Sequence, residues 1–333
     1  MNNSNLKKLL TEYEKKRLQA MYDADSRKQE LYLQNPRLQE IDDILSKEAI
    51  NASKLMISSR NPAILQDLNK KIAILKGEKN KILNSLGKDE SYLKPIYECK
   101  DCNDTGYITT NSVSEMCHCL KQKLFDIEYN KSNIYNLEKQ NFNYFSSTLY
   151  SDEVDEEKYK SKISPRENIK KIKNLCMNFI NNFDDENEKN LLFTGNTGLG
   201  KSFLSSCIAN ELLKKGKTVL YQTAPVMLDT VIDYRFGKDN SSKDIYENLL
   251  NVDLLIIDDL GTECMNSMKF SELFNIINTR LLNSNHKVTK TIISTNLSLQ
   301  NLFSTYDERI VSRIVGNYNI CYFFGDDIRF KKR

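Results

Sequence analysis

The sequence predicts an α/β protein, a parallel sheet wound around a phosphate-binding loop, preceded by a helical and zinc-binding amino-terminal domain. Three observations predict this. Gly195-Asn196-Thr197-Gly198-Leu199-Gly200-Lys201-Ser202 is a complete G-x-x-x-x-G-K-S loop, set between an apolar run and a helix-period stretch. Around it, short apolar runs alternate with helical patterns, as parallel strands joined by crossover helices do. Ahead of it come amphipathic stretches and then two closely spaced cysteine pairs.

In the front part, Leu6, Leu9, Leu10, Tyr13, Leu18, Met21 and Tyr22 recur at helical spacing, and charges fill the other faces. Asn35-Pro36 breaks that pattern and suits the first turn of a second helix through Leu38, Ile41, Ile44, Leu45 and Ile50. Asn61-Pro62 opens a third, carried by Ile64, Leu65, Leu68, Ile72, Leu75, Ile82, Leu83 and Leu86 and stopped at Gly87. Residues 1–92 therefore read as a helical, partner-binding region without catalytic groups.

Residues 93–125 read as a zinc-binding segment. Cys99 and Cys102 have the C-x-x-C spacing of a metal knuckle, Asp104-Thr105-Gly106 supplies its turn, and Tyr107–Val113 suits a short hairpin leading to Cys117 and Cys119. Four thiolates in tetrahedral reach suit Zn²⁺. A redox pair or free surface cysteines are the alternatives, and His118 is a candidate substitute for one thiolate. Residues 126–160 read as a linker because of the acidic run Ser151–Glu157. The aromatic residues Phe142, Tyr144 and Phe145 suit either packing or contact with an adenine ring.

Residues 161–333 carry the sheet. Ser164-Pro165 opens a helix through Ile169, Ile172, Leu175, Cys176, Phe179 and Ile180. Strands are expected at Leu191–Phe193, Thr218–Tyr221, Asp253–Asp259, Lys290–Asn296 and Tyr318–Phe324. Helices are expected after the loop at Phe203–Leu213, then at Pro225–Tyr234, Phe270–Leu282, Leu299–Phe303 and Glu308–Val315.

Composition bounds the partners. The 333 residues carry a net charge of +3, so any nucleic-acid contact must come from a local patch. The start, Met1–Lys8, lacks the apolar core of a signal peptide, and no apolar run approaches a membrane span. A cytoplasmic location without membrane contact is expected, and there the eight cysteines suggest thiols or a metal site over disulfides.

The chemistry sits at the ends of expected strands, where ligands bind such sheets. The loop backbone from Gly195 to Gly200 would face its N–H groups to phosphate oxygens, Lys201 would reach the β- and γ-phosphates of ATP, and Ser202 would ligate Mg²⁺. Asp258 and Asp259 follow four apolar residues, the Walker B arrangement. Asp258 would hold Mg²⁺ through water, and Asp259 would polarise the attacking water. Many such sites carry glutamate at the second position; aspartate is a methylene shorter, so hydrolysis is expected to be slow. Asn296, at the end of the next strand, is placed to touch the γ-phosphate or the lytic water. Arg309 and Arg313 share one helix face, where a guanidinium could meet a neighbouring subunit's phosphate or, for Arg309, form a surface ion pair involving Glu308.

Residues from about 140 to 330 resemble the AAA+ ATPases of the bacterial DnaC/DnaI helicase-loader group, relatives of the IstB-type transposition helpers. The residues that carry the resemblance are Gly195–Ser202, Leu254–Gly261 (LLIIDDLG), Thr291–Ser298 (TIISTNLS), Glu308–Ile314 (ERIVSRI) and Gly325–Arg329 (GDDIR). The resemblance implies sensor I at Asn296, an arginine finger acting in trans at Arg313 and sensor II at Arg329. It also implies ATP coupled to single-stranded DNA, self-association through the ATP site and a hexameric replicative helicase as partner. The zinc segment followed by Leu120-Lys121-Gln122 resembles the DnaI-type front end, which grips the helicase. With Arg329 so near Arg333, the helical lid of many AAA+ proteins is not expected.

The leading expectation is an ATP-dependent loader of the replicative helicase, acting in replication initiation or restart. An IstB-like helper ATPase acting on target DNA is the alternative, which the helical and zinc-binding front end disfavours. A zinc-bound scaffold with a purely structural nucleotide site is a third reading, opposed by intact Lys201, Asp258 and Asn296. Tyr234-Arg235-Phe236, within Tyr221–Lys238, suits either a surface facing single-stranded DNA or an ordinary helix end.

Overall fold

The computed structural model describes residues 3–58, 62–110, 113–128, 139–237, 242–283 and 288–332. Asn61, Lys238 and part of the expected 126–160 linker lie outside the described residues. The chain divides into two units, Leu10–Glu115 and Met1–Leu9 with Met116–Arg333.

The first unit is built on helices α1 (Asn3–Gln34), α2 (Pro36–Ser58) and α3 (Pro62–Ser85). Each expected proline stands at a helix start, where its missing N–H costs nothing. Leu31, Leu38 and Leu83 are buried together, and Tyr92 and Leu93 pack against them. Arg27 ties the chain after α3 to α1 by donating to the carbonyls of Tyr92 and Lys94, both at 3.0 Å. The cysteine knuckle is a tight turn with Asn103 and Asp104 at positive φ. The Asp104 carboxylate accepts the backbone N–H of Glu98 (2.9 Å) and Cys99 (2.8 Å), a local substitute for ladder bonds. Strands β1 (Tyr107–Thr110) and β2 (Val113–Met116) form the expected hairpin.

The second unit opens with α4 (His118–Glu128), a helix the sequence reading did not separate from the cysteine segment. After it come α5 (Glu156–Tyr159), α6 (Pro165–Asn181), β3 (Asn190–Gly195), α7 (Lys201–Lys214), β4 (Val219–Thr223), α8 (Ala224–Arg235) and α9 (Ser242–Asn251). The chain continues through β5 (Leu254–Leu260), α10 (Ser267–Asn283), β6 (Lys290–Thr295), α11 (Leu299–Thr305), α12 (Glu308–Asn317) and β7 (Tyr318–Phe323). The reading also passed over α9, whose apolar residues Tyr246, Leu249 and Leu250 follow an Asn/Ser-rich stretch that looks like loop. The start of α6 is as expected: Ser164 Oγ accepts the Glu167 N–H and Pro165 occupies the first turn.

The sheet order is β4-β5-β6-β3-β7, and the pairs are parallel. Both faces are covered, which is why the strand sequences are continuous apolar runs. Leu191, Phe193, Leu254 and Ile256 face the side of α6 and α7; Leu192, Leu255 and Ile257 face α8, α10 and α12. Arg280 of α10 is fully buried and donates to the carbonyls of Leu249 (2.8 Å) and Lys290 (2.7 Å) and to Thr291 Oγ1 (3.0 Å), pinning α9 and β6 at one end of the sheet. Burial pushes its pKa down to about 10. At the edge of the sheet the Gln122 amide of α4 bonds Val219 of β4 on both sides, accepting its N–H (2.8 Å) and donating to its C=O (3.1 Å). Phe125 of the same helix enters the core. The helix thus covers an otherwise open sheet edge.

Candidate nucleotide-binding site

The loop between β3 and α7 is shaped by what its glycines permit. Gly195 has φ 142°, and a Cβ there would stand 2.1 Å from the carbonyl oxygen of Phe323 in β7. Gly198 has φ 73°, and a Cβ there would strike the Asp327 carboxylate at about the same distance. Gly200 is the N-cap of α7 in the left-handed region and brings no side chain to the first helical N–H groups. Those groups and the helix dipole are left facing the loop, the arrangement that accepts phosphate.

Lys201 is buried, and its Nζ donates to the carbonyls of Gly195 (2.6 Å) and Asn196 (2.7 Å) and to Asn296 Oδ1 (2.7 Å). Burial holds its pKa below the usual lysine value, against the opposing pull of Asp259 and Asp258. Ser202 Oγ donates to Asp258 Oδ1 at 3.2 Å, so the hydroxyl and the carboxylate face each other as hard oxygen ligands should. Ser294 Oγ also donates to Asp258 Oδ1, and Tyr221 OH donates to Oδ2 at 2.8 Å.

Asp259 differs from its neighbour. The β5–β6 register slips between Ile257 and Leu260, and Asp259 sits at that bulge with φ 55°. A bulge re-aims a side chain, and here Asp259 joins the lining of the loop cavity. Its N–H donates to Ser294 Oγ at 3.1 Å. Burial pushes its pKa up, and the Asp258 charge adds to the shift.

The cavity has a volume of about 400 Å³ and takes in Thr197–Ser202, Asp259, Asn296 and Arg329. Its other wall is Tyr144, Phe145, Leu149 and Tyr150, so the aromatic residues before the acidic run pack and line the site at once. Tyr150 OH donates to the Leu199 carbonyl at 2.8 Å. On the far side Ile328 N–H donates to the Gly198 carbonyl at 3.0 Å, and Arg329 forks onto Asp327 with a closest approach of 2.6 Å.

The fold therefore gathers Gly195, Asn196, Thr197, Gly198, Leu199, Gly200, Lys201, Ser202, Asp258, Asp259, Asn296 and Arg329 around one end of the sheet. Arg313 stands apart, exposed on α12, with no ion pair among the described residues. Arg309 forms a surface ion pair, with Asp307 at 3.0 Å where Glu308 was the expected partner. Arg235 forks onto Glu272 at 2.7 and 3.1 Å, and Tyr234 stacks on Tyr246 with ring centroids 5.6 Å apart, so an ordinary helix end accounts for both. Sequence reasoning missed Tyr221, Ser294, Tyr150 and Asp327. The available signal was position: Ser294 and Asp327 lie inside the stretches Thr291–Ser298 and Gly325–Arg329 that carry the resemblance.

The sulfurs of Cys99, Cys102, Cys117 and Cys119 all lie within 4.8 Å of one another, a cluster compatible with zinc. Cys99, Asp101 and His118 form a second grouping at the same spacing, and the His118 ring also packs on Gly216.

Residues 143–333 match the family described as IstB-like ATP binding protein. The chain belongs to the IstB-like ATP-binding protein family. This family covers the whole sheet and the cavity, and the AAA+ resemblance read from the motifs stands with it. Curated relatives of this IstB-like chain include the replicative helicase loader DnaC of Escherichia coli strain K12, 30% identical over 140 residues, or 42% of this chain and 55% of that one. DnaC of Buchnera aphidicola subsp. Baizongia pistaciae is 30% identical over 167 residues, 50% of this chain and 66% of that one. The chain thus spans about half the length of the first of these relatives and somewhat more of the second. A crystal structure of the DnaC helicase loader aligns with a TM-score of 0.42 and 24% identity, over 46% of this chain and 89% of that one. No helix among the described residues is long and apolar enough to cross a membrane.

Proposed function

We propose that this IstB-like protein is an ATP-dependent loader that places a hexameric replicative DNA helicase on single-stranded DNA during replication initiation or restart, in the cytoplasm. The observation that carries the ATP part is the convergence of Lys201, Ser202, Asp258, Asp259 and Asn296 from three strand ends on one loop. The loader part rests on the similarity to DnaC proteins. The family description favours one competing reading, a transposition-helper ATPase acting on target DNA.

In this reading the loop N–H groups and Lys201 hold the triphosphate, with Tyr144 and Phe145 against the base. Bound Mg²⁺ would screen phosphate charge between Ser202 and Asp258. Asp259 polarises the lytic water and Asn296 orients it; Arg329 leaves Asp327 to meet the phosphate. Arg313, exposed on α12, completes the site of a neighbouring copy, so turnover depends on self-association. Cys99, Cys102, Cys117 and Cys119 would hold one zinc ion, which would keep the front segment closed. We assign the helicase grip to the helical region 1–92 with the zinc segment 93–125, the linker to 126–160, and the ATP and DNA functions to 161–333.

The test is a loading assay with the full chain, a purified replicative helicase and single-stranded DNA coated with its binding protein. Helicase activity should appear only with the chain and ATP, and Lys201→Ala should not support it. Arg313→Ala should bind ATP like the parent and lose concentration-dependent turnover. If the chain instead stimulates a transposase on target DNA and never captures helicase, the helper reading replaces the loader.

A further inference from the structure

Tyr221 has no place in the phosphate-loop motifs, yet it is buried and its hydroxyl ends on the carboxylate that those motifs make central. The strand register explains how. Tyr221 of β4 pairs with Ile256 of β5, and Thr223 pairs with Asp258. Side chains two residues apart share a face, and two residues of strand rise about 6.6 Å. A phenol leaning along its strand from position 221 spans that distance and brings its OH beside Asp258, on the face covered by α7. On the other side of β5, Ile292 of β6 pairs with Ile256, and Ser294, two residues on, reaches Asp258 from β6.

The two oxygens of Asp258 are therefore divided. Oδ1 receives Ser202, the first-turn hydroxyl of α7, and Ser294. Oδ2 receives Tyr221 at 2.8 Å. The terminal torsion of an aspartate is broad and roughly two-fold, so donors at Oδ1 alone leave the carboxyl plane free to turn. A donor on each oxygen fixes it. Because Asp258 is itself buried, an Oδ2 stripped of its donor would lack a partner and would have to rotate or recruit another.

We propose that Tyr221 is a positioning residue that fixes the Asp258 carboxylate in the orientation that holds magnesium beside Ser202. The inference rests on the reading of Asp258 as the magnesium carboxylate. The Tyr221 hydroxyl also meets the hydroxyls of Ser206 and Ser202, so it acts through the groups that would hold the ion, Asp258 first, as outer hydrogen-bonding partners of metal ligands do, and their removal typically lowers metal affinity 10- to 100-fold.

The experiment is a magnesium titration of fluorescent-ATP binding to the full chain, with thermal unfolding measured on each variant. Tyr221→Phe keeps the ring in the core and removes only the hydroxyl. It should raise the magnesium concentration at half-saturation about 10-fold, while nucleotide binding in EDTA stays at the parent value. An unmoved magnesium midpoint, with any loss appearing equally in EDTA or only in the melting temperature, makes Tyr221 a packing residue and overturns the inference. Asp258→Asn separates the two layers. If it leaves the magnesium midpoint unchanged, the assignment of Asp258 fails; if it shifts the midpoint and Tyr221→Phe does not, only the role of Tyr221 fails. Should Tyr221→Phe not fold, 3-fluorotyrosine at position 221, a stronger donor, should lower the midpoint, and a midpoint that does not fall counts against the proposal.

Discussion

The helical unit and the sheet unit solve opposite problems. In Leu10–Glu115, helices bury a modest apolar stripe and leave Leu18, Met21, Tyr22 and Leu33 exposed, with surface ion pairs such as Arg37–Glu78 between α2 and α3. In the sheet unit, strands are buried on both faces, and Lys201, Asp258, Ser294 and Thr295 are buried with hydrogen-bond partners. The difference teaches where specificity is stored. A buried polar group left unpaired costs 1–3 kcal/mol or more, so the network at the strand ends can hold one arrangement. Exposed ion pairs on helices are screened and replaceable. The sheet unit is built to present one constellation; the helical unit is built to present a surface.

The contrast can be broken or sharpened by experiment. The largest effect is expected from Lys201→Ala. It removes the loop cation that also ties Gly195, Asn196 and Asn296 together, and turnover should fall on the order of 100- to 1,000-fold. Unchanged ATPase activity in that variant would remove the site from the sheet unit. Next comes Cys99→Ser/Cys102→Ser, which should reduce the zinc measured by elemental analysis from about one ion per chain to none and leave basal ATP hydrolysis in place. Full zinc retention, or loss of hydrolysis along with zinc, would erase the functional contrast between front and back.

A smaller effect concerns pH. The Asp259 pKa is raised, so its proton persists into weaker acid than for an ordinary aspartate. The acid limb of kcat should therefore lie above the ordinary aspartate range, and Asp259→Asn should abolish that limb along with most turnover. For stability the sign is opposite. Between the unfolded and folded values the native state binds more protons, so this group's contribution is full below the unfolded pKa and is lost as pH rises through the folded one. An acid limb at the ordinary value would show that the bulge does not desolvate the carboxylate. The smallest effect is expected from Arg37→Ala, which breaks pairs to Glu78 and Glu40 on the helical surface. Its melting temperature should match the parent within error, even at low salt. A clear drop would mean that the helical unit, too, depends on a fixed polar network.

Much of the site was legible because its chemistry is local in sequence. The loop from Gly195 to Ser202 needs closely spaced glycines for its turn and a lysine near its end, so eight neighbouring residues announce it. Asp258 and Asn296 were legible because each ends an apolar run, and strand ends are where such sheets bind ligands. Helices α4 and α9 were not separated out, since α4 hides behind cysteines and α9 behind a polar stretch.

What the sequence by itself determined is the phosphate loop, the parallel α/β class and the clustering of cysteines, because each depends on spacing within a short segment. What only the tertiary structure decided is the relation between residues far apart in the chain. Register across β4, β5 and β6 sets Tyr221 and Ser294 on either side of Asp258. The bulge between Ile257 and Leu260 gives the adjacent aspartates different surroundings. Gly198 meets Asp327, more than a hundred residues away, only because β7 lies beside β3. One-dimensional spacing carries no information about which strands become neighbours or at what register. Those are set by the burial of both sheet faces, and the pairing of the buried polar groups around Asp258 follows from them.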